Sequence, residues 1–499
     1  MTNNLTSRYL FISIAFFLSS FICTAQWEQK GSDISGNEAS SIGFCISLNA
    51  DGSKIVIGSP NDDSNGSNSG QVQVFSFNGT DWVQMGADIN GSGFNEKLGH
   101  GVAITPNGNR IAFGTTFITT ANGNFTGQVT IMEWNGSTWE MVGSTIDGLF
   151  NGDNFGWTVS ISNDGNRVAV SAPLAGPAGT HLGEVSIFEF NGSNWVQMGT
   201  AITGQGTDDY LGFSLKLSGD GTRIAVGSHL NDNVATDAGN VRIFQWDGTD
   251  WQQMGSDLTG TEETDWFGYS LGFSEDGNRV AASAWHHGND RGEIRAYDWD
   301  GNSWVQKGQS IVGENDFDNG GWSMALSADG ETIVMGSVQN PGGGEYRGHA
   351  RIFKLVDNTW LQVDSDIQGS MDFEFFGYYT SLSADGETVA ISSPLASASN
   401  TNSGVVRVYE GGVLGTNTSE IANSFVAFPI PAENSITISS KNNYSQIEVI
   451  QYDMLGRNLG SKKFQNSNQV YFPLFGNVGT YLLTIKADGN IETIQILKN

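Results

Sequence analysis

A tryptophan recurs seven times along the chain, and its spacing of 53 to 57 residues constrains the fold more than any other feature of the sequence. The recurring residues are Trp27, Trp82, Trp139, Trp195, Trp251, Trp304 and Trp360. Repeats of this length are typical of modules that stack in a line or around an axis, because one module cannot bury both of its faces alone. The sequence therefore predicts a repeat architecture.

Each repeat consists of four short predicted strands separated by turns. An Asp-Gly or Asn-Gly pair follows the first strand in all seven repeats, and such pairs supply the positive φ that a tight hairpin needs. The pairs begin at Asp51, Asn107, Asp164, Asp220, Asp276, Asp329 and Asp385. This pattern predicts a closed ring of seven four-stranded antiparallel sheets, which are arranged as blades around one axis.

The two ends of the repeat region are incomplete in complementary ways. The seventh repeat stops after the segment GVVRVYEGG and lacks a tryptophan strand, whereas residues 27–34 form an additional tryptophan strand, WEQKGSDI. We expect this N-terminal strand to complete the last blade. The predicted fold class is all-β: a seven-bladed β-propeller whose last blade is closed by the N-terminal strand, followed by a small C-terminal antiparallel β-sandwich.

Changes in composition divide the chain into four predicted segments. Residues 1–25 place Arg8 before an apolar stretch and small residues, which indicates a secretory signal peptide. The propeller is expected over 26–412, a linker rich in Gly, Asn and Thr over 413–423, and the sandwich over 424–499. No later segment reaches the roughly 18 apolar residues that a membrane span requires.

Charge and cysteine content exclude several classes of protein. The chain has 23 Lys and Arg against 53 Asp and Glu, a formal charge of −30. Nucleic acid and anionic lipid both need a basic patch, so neither is expected as a partner. Cys23 lies in the predicted signal peptide and Cys45 in an apolar strand, so we predict a buried free thiol at Cys45 and no disulfide framework. We expect a monomer.

The first strand of most repeats opens with Phe, Leu or Ile, then Gly, an aromatic residue, a small residue and an apolar residue, as in Phe267-Gly268-Tyr269-Ser270-Leu271. Over residues 26–412 this motif resembles the FG-GAP repeat family of integrin-type propellers. The resemblance implies a propeller that recognises a ligand. Blades of that family often carry a calcium loop, but the turns here are too short to surround calcium with six to eight oxygens. No metal site is assigned and no cofactor is predicted, with calcium or zinc left open.

Motifs in the C-terminal segment are similar to those of the type A sorting domain of the type IX secretion system of Bacteroidota. The segments that carry the resemblance are FPIPA at 428–432, YDMLGR at 452–457, GTY at 479–481 and a basic residue at 498. The matching residues are Pro429, Pro431, Asp453, Gly456, Gly479, Tyr481 and Lys498. The resemblance implies the type IX machinery as a partner, passage across the outer membrane, removal of the tail, and release or cell-surface attachment.

An acidic residue stands two positions before the F-G motif in six repeats. These residues are Glu96, Asp153, Asp209, Asp265, Asp318 and Glu374. They either form a ring that binds cations, sugars or a basic partner, or accept backbone N–H bonds within their own turns. We favour the structural interpretation, because a residue repeated in nearly every blade serves a need that every blade shares.

The six histidines all map to the face of the ring that carries the loops between blades. His229 and the pair His286-His287 occupy equivalent loops of successive blades, and aromatic and acidic residues lie beside them in sequence. The candidate ligand-binding residues are His229, Asp232, Trp266, Trp285, His286, His287 and Asp290. The aromatic rings are suited to stacking on sugars. The histidines either hold zinc or copper or are solvated loop residues.

The sequence favours an exported or cell-surface recognition or adhesion propeller that binds a glycan or a protein, and no catalytic residue is assigned. The alternatives are a carbohydrate-active enzyme, of glycoside hydrolase or lyase type, and a structural surface component without a small ligand. An enzyme should have one deep central pocket with two or three carboxylates from different blades. A binding protein should instead have shallow aromatic residues near the rim.

Overall fold

The structure, a computed structural model, describes residues 27–37, 40–397, 402–411, 426–428, 434–453, 457–477, 479–487 and 490–498. The predicted signal peptide and linker lie outside the described residues. The described residues up to 411 form one compact unit, and those from 426 onwards form a second. Among the described residues, no helix is both long enough and apolar enough to span a membrane.

The first unit is a β-propeller of seven antiparallel sheets in the described part of the chain, one from each sequence repeat, which confirms the predicted fold class. Blades 1 to 6 span residues 42–90, 98–147, 155–203, 211–259, 267–312 and 320–368, and blade 7 combines 376–411 with 27–35.

The three inner strands of every blade follow one another in sequence. The innermost strands are Cys45–Leu48, Leu98–Ile104, Val159–Ile161, Ser214–Leu217, Leu271–Phe273, Gly320–Leu326 and Tyr379–Leu382. The second strands are Lys54–Ser59, Arg110–Thr115, Arg167–Ala172, Arg223–Ser228, Arg279–Ala284, Thr332–Ser337 and Thr388–Ser393. The third strands are Gln71–Phe77, Gln128–Trp134, Glu184–Phe190, Asn240–Trp246, Glu293–Trp299, His349–Val356 and Val405–Gly411. Helical turns occur at Pro177–Gly179 and His287–Asp290.

The outer strand of each blade is broken into two pieces, whereas the sequence predicted one continuous strand. The tryptophan pieces are Trp82–Gln84, Trp139–Met141, Trp195–Gln197, Trp251–Gln253, Trp304–Gln306, Thr359–Gln362 and Trp27–Gln29. The second pieces are Ile89–Asn90, Ile146–Asp147, Ile202–Thr203, Leu258–Thr259, Ile311–Val312, Ile367–Gln368 and Ile34–Ser35. In blade 1 the break contains Gly86, whose φ of 80° bends the chain away from the sheet before it returns to pair with the third strand.

The predicted closure of the ring is confirmed. Trp27 pairs with Gly411 and Gln29 with Tyr409, antiparallel, and the backbone N–H of Lys30 donates to the carbonyl oxygen of Val408 at 2.7 Å. The second piece of the same strand pairs Ile34 with Val406.

Side chains join neighbouring blades at the outer edge and at the turns. In blade 4 the indole N–H of Trp251 donates to the carbonyl oxygen of Met198 in blade 3 at 3.0 Å. Trp82, Trp139, Trp195, Trp304 and Trp360 make the equivalent bond to the preceding blade. Next to the Asp-Gly turns, the Arg110 guanidinium donates to Gly165 O of the following blade at 2.9 Å. Each blade is therefore bonded to both of its neighbours.

The C-terminal unit is one hydrogen-bonded sheet that folds back on itself to make the predicted sandwich. Its strands are Val426–Phe428, Ser435–Asp453, Asn458–Pro473, Gly479–Ala487 and Asn490–Lys498. The long first hairpin changes register between Ser439 and Tyr444. Ile438 from one half and Ile447 from the other lie in the same buried cluster, so the two halves share one core.

Candidate functional site

The centre of the ring holds a cavity of about 180 Å³ whose lining comes from the innermost strands of all seven blades. At its mouth each blade contributes the aromatic residue that follows the F-G motif. These seven residues, named here the aromatic collar, are Phe44, His100, Trp157, Phe213, Tyr269, Trp322 and Tyr378. Every member contacts the next, with centroid separations of 4.1 to 5.9 Å, and the last contacts the first. The collar is a closed ring around the axis.

The polarity of this cavity bears on the choice between a binding protein and an enzyme. Among the described residues its lining contains aromatic, aliphatic and small hydroxyl side chains and no carboxylate. Desolvation lowers the pKa of His100, the imidazole in the collar, to about 4, so that this ring is neutral at physiological pH. The cavity therefore lacks the pair of carboxylates that glycoside hydrolysis uses.

Most of the candidate ligand-binding residues come together beside the collar. We name Tyr210, His229, Trp266, Trp285 and His286 the aromatic patch. The His286 ring stacks on Trp285 at 3.6 Å and contacts Trp266 at 4.5 Å, and Trp266 lies 5.3 Å from His229. The patch is continuous with the collar, since His229 lies 4.1 Å from Phe213 and Trp285 lies 5.0 Å from Trp322.

Acidic residues orient three of the loop histidines. Nδ1 of His287 lies 3.0 Å from Asp265 and Nδ1 of His181 lies 2.8 Å from Asp208, and His286 bonds to Asp290 through the same nitrogen. A carboxylate on Nδ1 fixes the ring and leaves Nε2 for a ligand. Asp232 is not part of this arrangement, because its carboxylate accepts the N–H of Asp237 within its own loop.

The patch contains features that reduce the stability of the fold. Trp266 has φ 56°, in the left-handed region, which is uncommon for a bulky residue. The equivalent residues of the other blades are also left-handed: Ser41, Lys97, Asn154, Tyr210, Asn319 and Phe375. The loop therefore dictates this conformation, and asparagine suits it better than tryptophan. In the described part of the chain the buried Trp285 Nε1 and His229 Nδ1 also have no hydrogen-bond partner, at a cost of about 1–3 kcal/mol each.

The acidic residues before the F-G motifs lie in the turns between blades. Asp209 accepts the N–H groups of Gln205 and Gly206 at 2.9 and 2.6 Å. Glu96, Asp153, Asp265, Asp318 and Glu374 each accept a backbone N–H in the same manner. Desolvation raises the pKa of Asp153 to about 6, and the nearby Glu184 contributes to the shift.

Exposed phenylalanines on the loops between blades were missed by the sequence reasoning. Phe94 is 78% exposed and Phe150 65%, and Phe317 is also exposed. The collar was missed as a site as well, although its signal, an aromatic residue after the motif glycine, is present in six of the seven repeats and a histidine in the other.

Among the residues that the structure describes, two groups of side chains have a spacing that could hold a metal ion. One is Glu262, Asp265 and His287, and the other is Glu314, His349 and Asp366; in each, three donor atoms lie within 4.8 Å of one another. In the second group the guanidinium of Arg351 lies 4.0 Å from Glu314 and 3.9 Å from Asp366. This cation already balances the two carboxylates.

The described sorting-motif residues hold the C-terminal unit together. Tyr481 is buried and its hydroxyl donates to Asn477 O at 2.6 Å. The buried Lys498 ammonium donates to the carbonyl oxygens of Leu474 and Gly476. Asp453 pairs with Tyr481 at the end of its strand. Pro429, Pro431 and Gly456 lie outside the described residues.

Comparison with known families agrees with both resemblances. Residues 147–188 match the FG-GAP repeat, and residues 426–499 match the secretion system C-terminal sorting domain. The chain therefore contains an FG-GAP repeat within its propeller and a sorting domain at its C-terminal end. The protein is secreted or displayed at the cell surface, and its sorting domain implies the secretion machinery as a partner.

Similar sequences and solved structures add little about the activity of this protein. No curated protein sequence matches it significantly. Similar solved structures include a proposed 6-phosphogluconolactonase from Bacteroides uniformis, at 12% identity, 77% of this chain, 99% of that chain and a TM-score of 0.41. A periplasmic gluconolactonase from Pseudomonas aeruginosa is 14% identical, with a TM-score of 0.44, and the match covers 80% of this chain and 94% of that chain. A prolyl endopeptidase is 12% identical, with a TM-score of 0.44, and the match covers 83% of this chain and 56% of that chain. Likeness at this level carries no argument about function.

Proposed function

We propose that this protein is an exported recognition propeller that binds an extracellular glycan on the aromatic patch. The proposal rests on the observation that several features of the patch lower the stability of the folded state. A left-handed Trp266 and unpaired polar atoms on Trp285 and His229 are disfavoured unless another requirement maintains them. Recognition of a ligand is such a requirement.

The chemistry of the patch suits a sugar. Flat rings of Trp266 and Tyr210 offer faces for the apolar side of a pyranose, and the oriented imidazole of His286 offers a hydrogen-bonding nitrogen beside them. Asp208, Asp265 and Asp290 lie close to these rings, and the chain as a whole carries a formal charge of −30. We therefore expect a neutral or basic glycan rather than a polyanion.

A protein partner is the second candidate, and the exposed phenylalanines favour it. Phe94 and Phe150 lie on the loops between blades, away from the patch, and large exposed apolar side chains are common at protein interfaces. The alternative of a carbohydrate-active enzyme has less support, because no carboxylate is among the described residues that line the central cavity.

The first prediction concerns Trp266→Asn. Asparagine tolerates the left-handed conformation, so the variant should unfold at the same temperature as the wild type or higher, while glycan binding is lost. Binding would be measured with the full chain on a glycan array, followed by calorimetry on each positive glycan. An affinity loss of about tenfold or more is expected for a stacked aromatic residue.

Phe375→Asn is the matched control. Phe375 occupies the equivalent left-handed position before blade 7 and stacks on Tyr346, outside the patch. This variant should retain glycan binding with a similar gain in stability. Binding by Trp266→Asn at wild-type affinity would refute the proposal for the patch, and turnover of a glycan would favour the enzyme alternative. An empty array together with loss of a protein partner in Phe94→Ser would favour the second candidate.

A further inference from the structure

Lys216 is an exception among the residues of the innermost strands. Five residues of each blade, beginning with the collar residue, run along the axis: 44–48, 100–104, 157–161, 213–217, 269–273, 322–326 and 378–382. Of these residues Lys216 is the only Lys, Arg, Asp or Glu. The equivalent positions hold small residues, namely Ser47, Ala103, Ser160, Gly272, Ala325 and Ser381. A cation has therefore been placed where the other blades have at most a hydroxyl.

Exposure and strand position together place the side chain of Lys216 at the central channel, next to the cavity rather than among the residues that line it. Its strand is paired with Arg223–Ser228 along one edge, and the other edge faces the axis. Lys216 is exposed, whereas Leu215 and Leu217 on either side of it are buried. An exposed side chain in the middle of an innermost strand reaches the channel, because neighbouring blades cover both faces of the sheet. Leu215 itself lines the cavity below the collar.

No counter-ion balances this ammonium in the described part of the chain. Desolvation lowers the pKa of Lys216, and no carboxylate lies near enough to raise it again. Part of the side chain is open to the channel, but the surrounding strands exclude much of the bulk water from its ammonium, and an unpaired charge held in this way is a candidate for a functional role. A polar residue of blade 7, the partly exposed Tyr379, lines the neighbouring cavity at a position where the other blades have Cys, Gly, Ser or Thr.

We propose that the central cavity binds a small carboxylate bearing one flat apolar ring, with the ring inside the aromatic collar and the carboxylate directed at Lys216. The cavity of about 180 Å³ is smaller than the roughly 300–1,000 Å³ typical of sites for drug-sized ligands, so a single ring is the size that fits. Aromatic edges and faces surround the ring, and the ammonium supplies a charge-assisted hydrogen bond. This cavity adjoins the aromatic patch through the collar, but the proposal does not depend on the proposed glycan.

Benzoate and benzamide are matched probes for this site, because they share a ring and differ in charge. Calorimetry on the full chain should show benzoate binding about tenfold more tightly than benzamide. Lys216→Met should reduce the affinity for benzoate to that for benzamide. Lys307→Met is the control and should bind benzoate as the wild type does, since Lys307 lies on the outer edge and pairs with Asp298 at 3.4 Å.

A second measurement on the wild type does not depend on the folding of a variant. After reductive ¹³C-methylation of the lysines, the ¹³C resonance of Lys216 reports the pKa of its amine. Benzoate should raise this pKa, because the carboxylate stabilises the charged form of the amine. Phe375→Asn, at a residue that stacks on Tyr346 outside both the patch and the collar, should leave this response unchanged. Equal affinities for the two probes, no detectable binding of benzoate, or undiminished binding by Lys216→Met would each overturn the proposal.

Discussion

At the scale of single residues, His100 stands out because the collar uses an imidazole in one blade and a Phe, Trp or Tyr in the other six. Nδ1 of His100 lies 3.0 Å from the carbonyl oxygen of Trp157, to which the neutral ring donates. The ring packs 4.1 Å from Trp157 and 5.1 Å from Phe44. Desolvation lowers its pKa to about 4, whereas an unfolded histidine titrates near 6.5.

This difference predicts a dependence of stability on pH. Between about pH 6.5 and pH 4 the unfolded chain binds a proton at His100 that the folded chain does not, so the folded state loses stability as the pH falls. His100→Phe removes this contribution. From pH 7 to pH 4 the free energy of unfolding of the wild type should fall by up to roughly 3 kcal/mol more than that of the variant, as measured by urea unfolding.

Other groups titrate in the same range, and the comparison with the variant separates them. His229, with a pKa lowered to about 3 by desolvation, acts in the same direction as His100, and Asp153, with a raised pKa, acts in the opposite direction. Both are present in wild type and variant, so they cancel in the difference. Parallel pH curves for the two proteins would show that His100 is not desolvated in the collar.

Sequence periodicity predicted which residues of the patch meet, but not how each is bonded. Trp266 lies in the loop before blade 5 and His286 in the loop between the second and third strands of blade 5, and the repeat places both kinds of loop on the same face of the ring. Asp232 is in such a loop too, yet its carboxylate bonds to Asp237 within that loop, and only coordinates distinguish these outcomes. The contacts around the collar could not be predicted because they depend on how closely the strands approach the axis.

At the scale of elements, the broken outer strand and its tryptophan explain how blades adhere to one another. The bend after Trp251–Gln253 turns the carbonyl groups of one outer strand toward the next blade, where a tryptophan indole donates to them. Six such indole bonds are present among the described residues. The sequence predicted that the tryptophans pack, but it did not predict their hydrogen bonds, since an indole N–H has no sequence signature of its own.

Trp251→Phe tests the value of this bond. The variant keeps an aromatic ring but leaves Met198 O without its donor, so the free energy of unfolding should fall by about 1–2 kcal/mol. Trp246→Phe is the control. Trp246 packs 5.5 Å from Trp251 and makes no indole hydrogen bond in the described part of the chain, so its loss should be smaller. Equal losses in the two variants would assign the effect to packing alone.

At the scale of the whole molecule, the ring depends on the pairing of two segments that are more than 370 residues apart in sequence. The sequence predicted this pairing because one end lacked a strand that the other end supplied. Blade number and closure were therefore predictable from counting repeats. The folding of the C-terminal hairpin around one core was predictable only as a small sandwich, because the register shift between Ser439 and Tyr444 depends on how two long strands pair, which sequence periodicity does not give.

Lys30→Pro tests the closure at one hydrogen bond. Proline removes the N–H that donates to Val408, and the loss should lower the free energy of unfolding by about 2 kcal/mol. Lys30→Ala keeps that N–H but, like the proline variant, loses the ion pair with Glu410 and the contact with the Phe77 ring, so the additional loss in Lys30→Pro measures the closing bond. Thermal unfolding of both variants gives the comparison, and equal melting temperatures would contradict a role for this strand in closing the ring.

The joining of residues 27–35 to 405–411 also sets an order of events during export. A chain that emerges with its amino terminus first carries an unfinished sheet until the last blade has followed it. Early folding intermediates therefore expose unpaired strand edges, which are prone to association with other chains. Completion of the native state waits for contacts of very long sequence separation, which slows folding. A holding factor that protects these edges during translocation would be of direct benefit to such a protein.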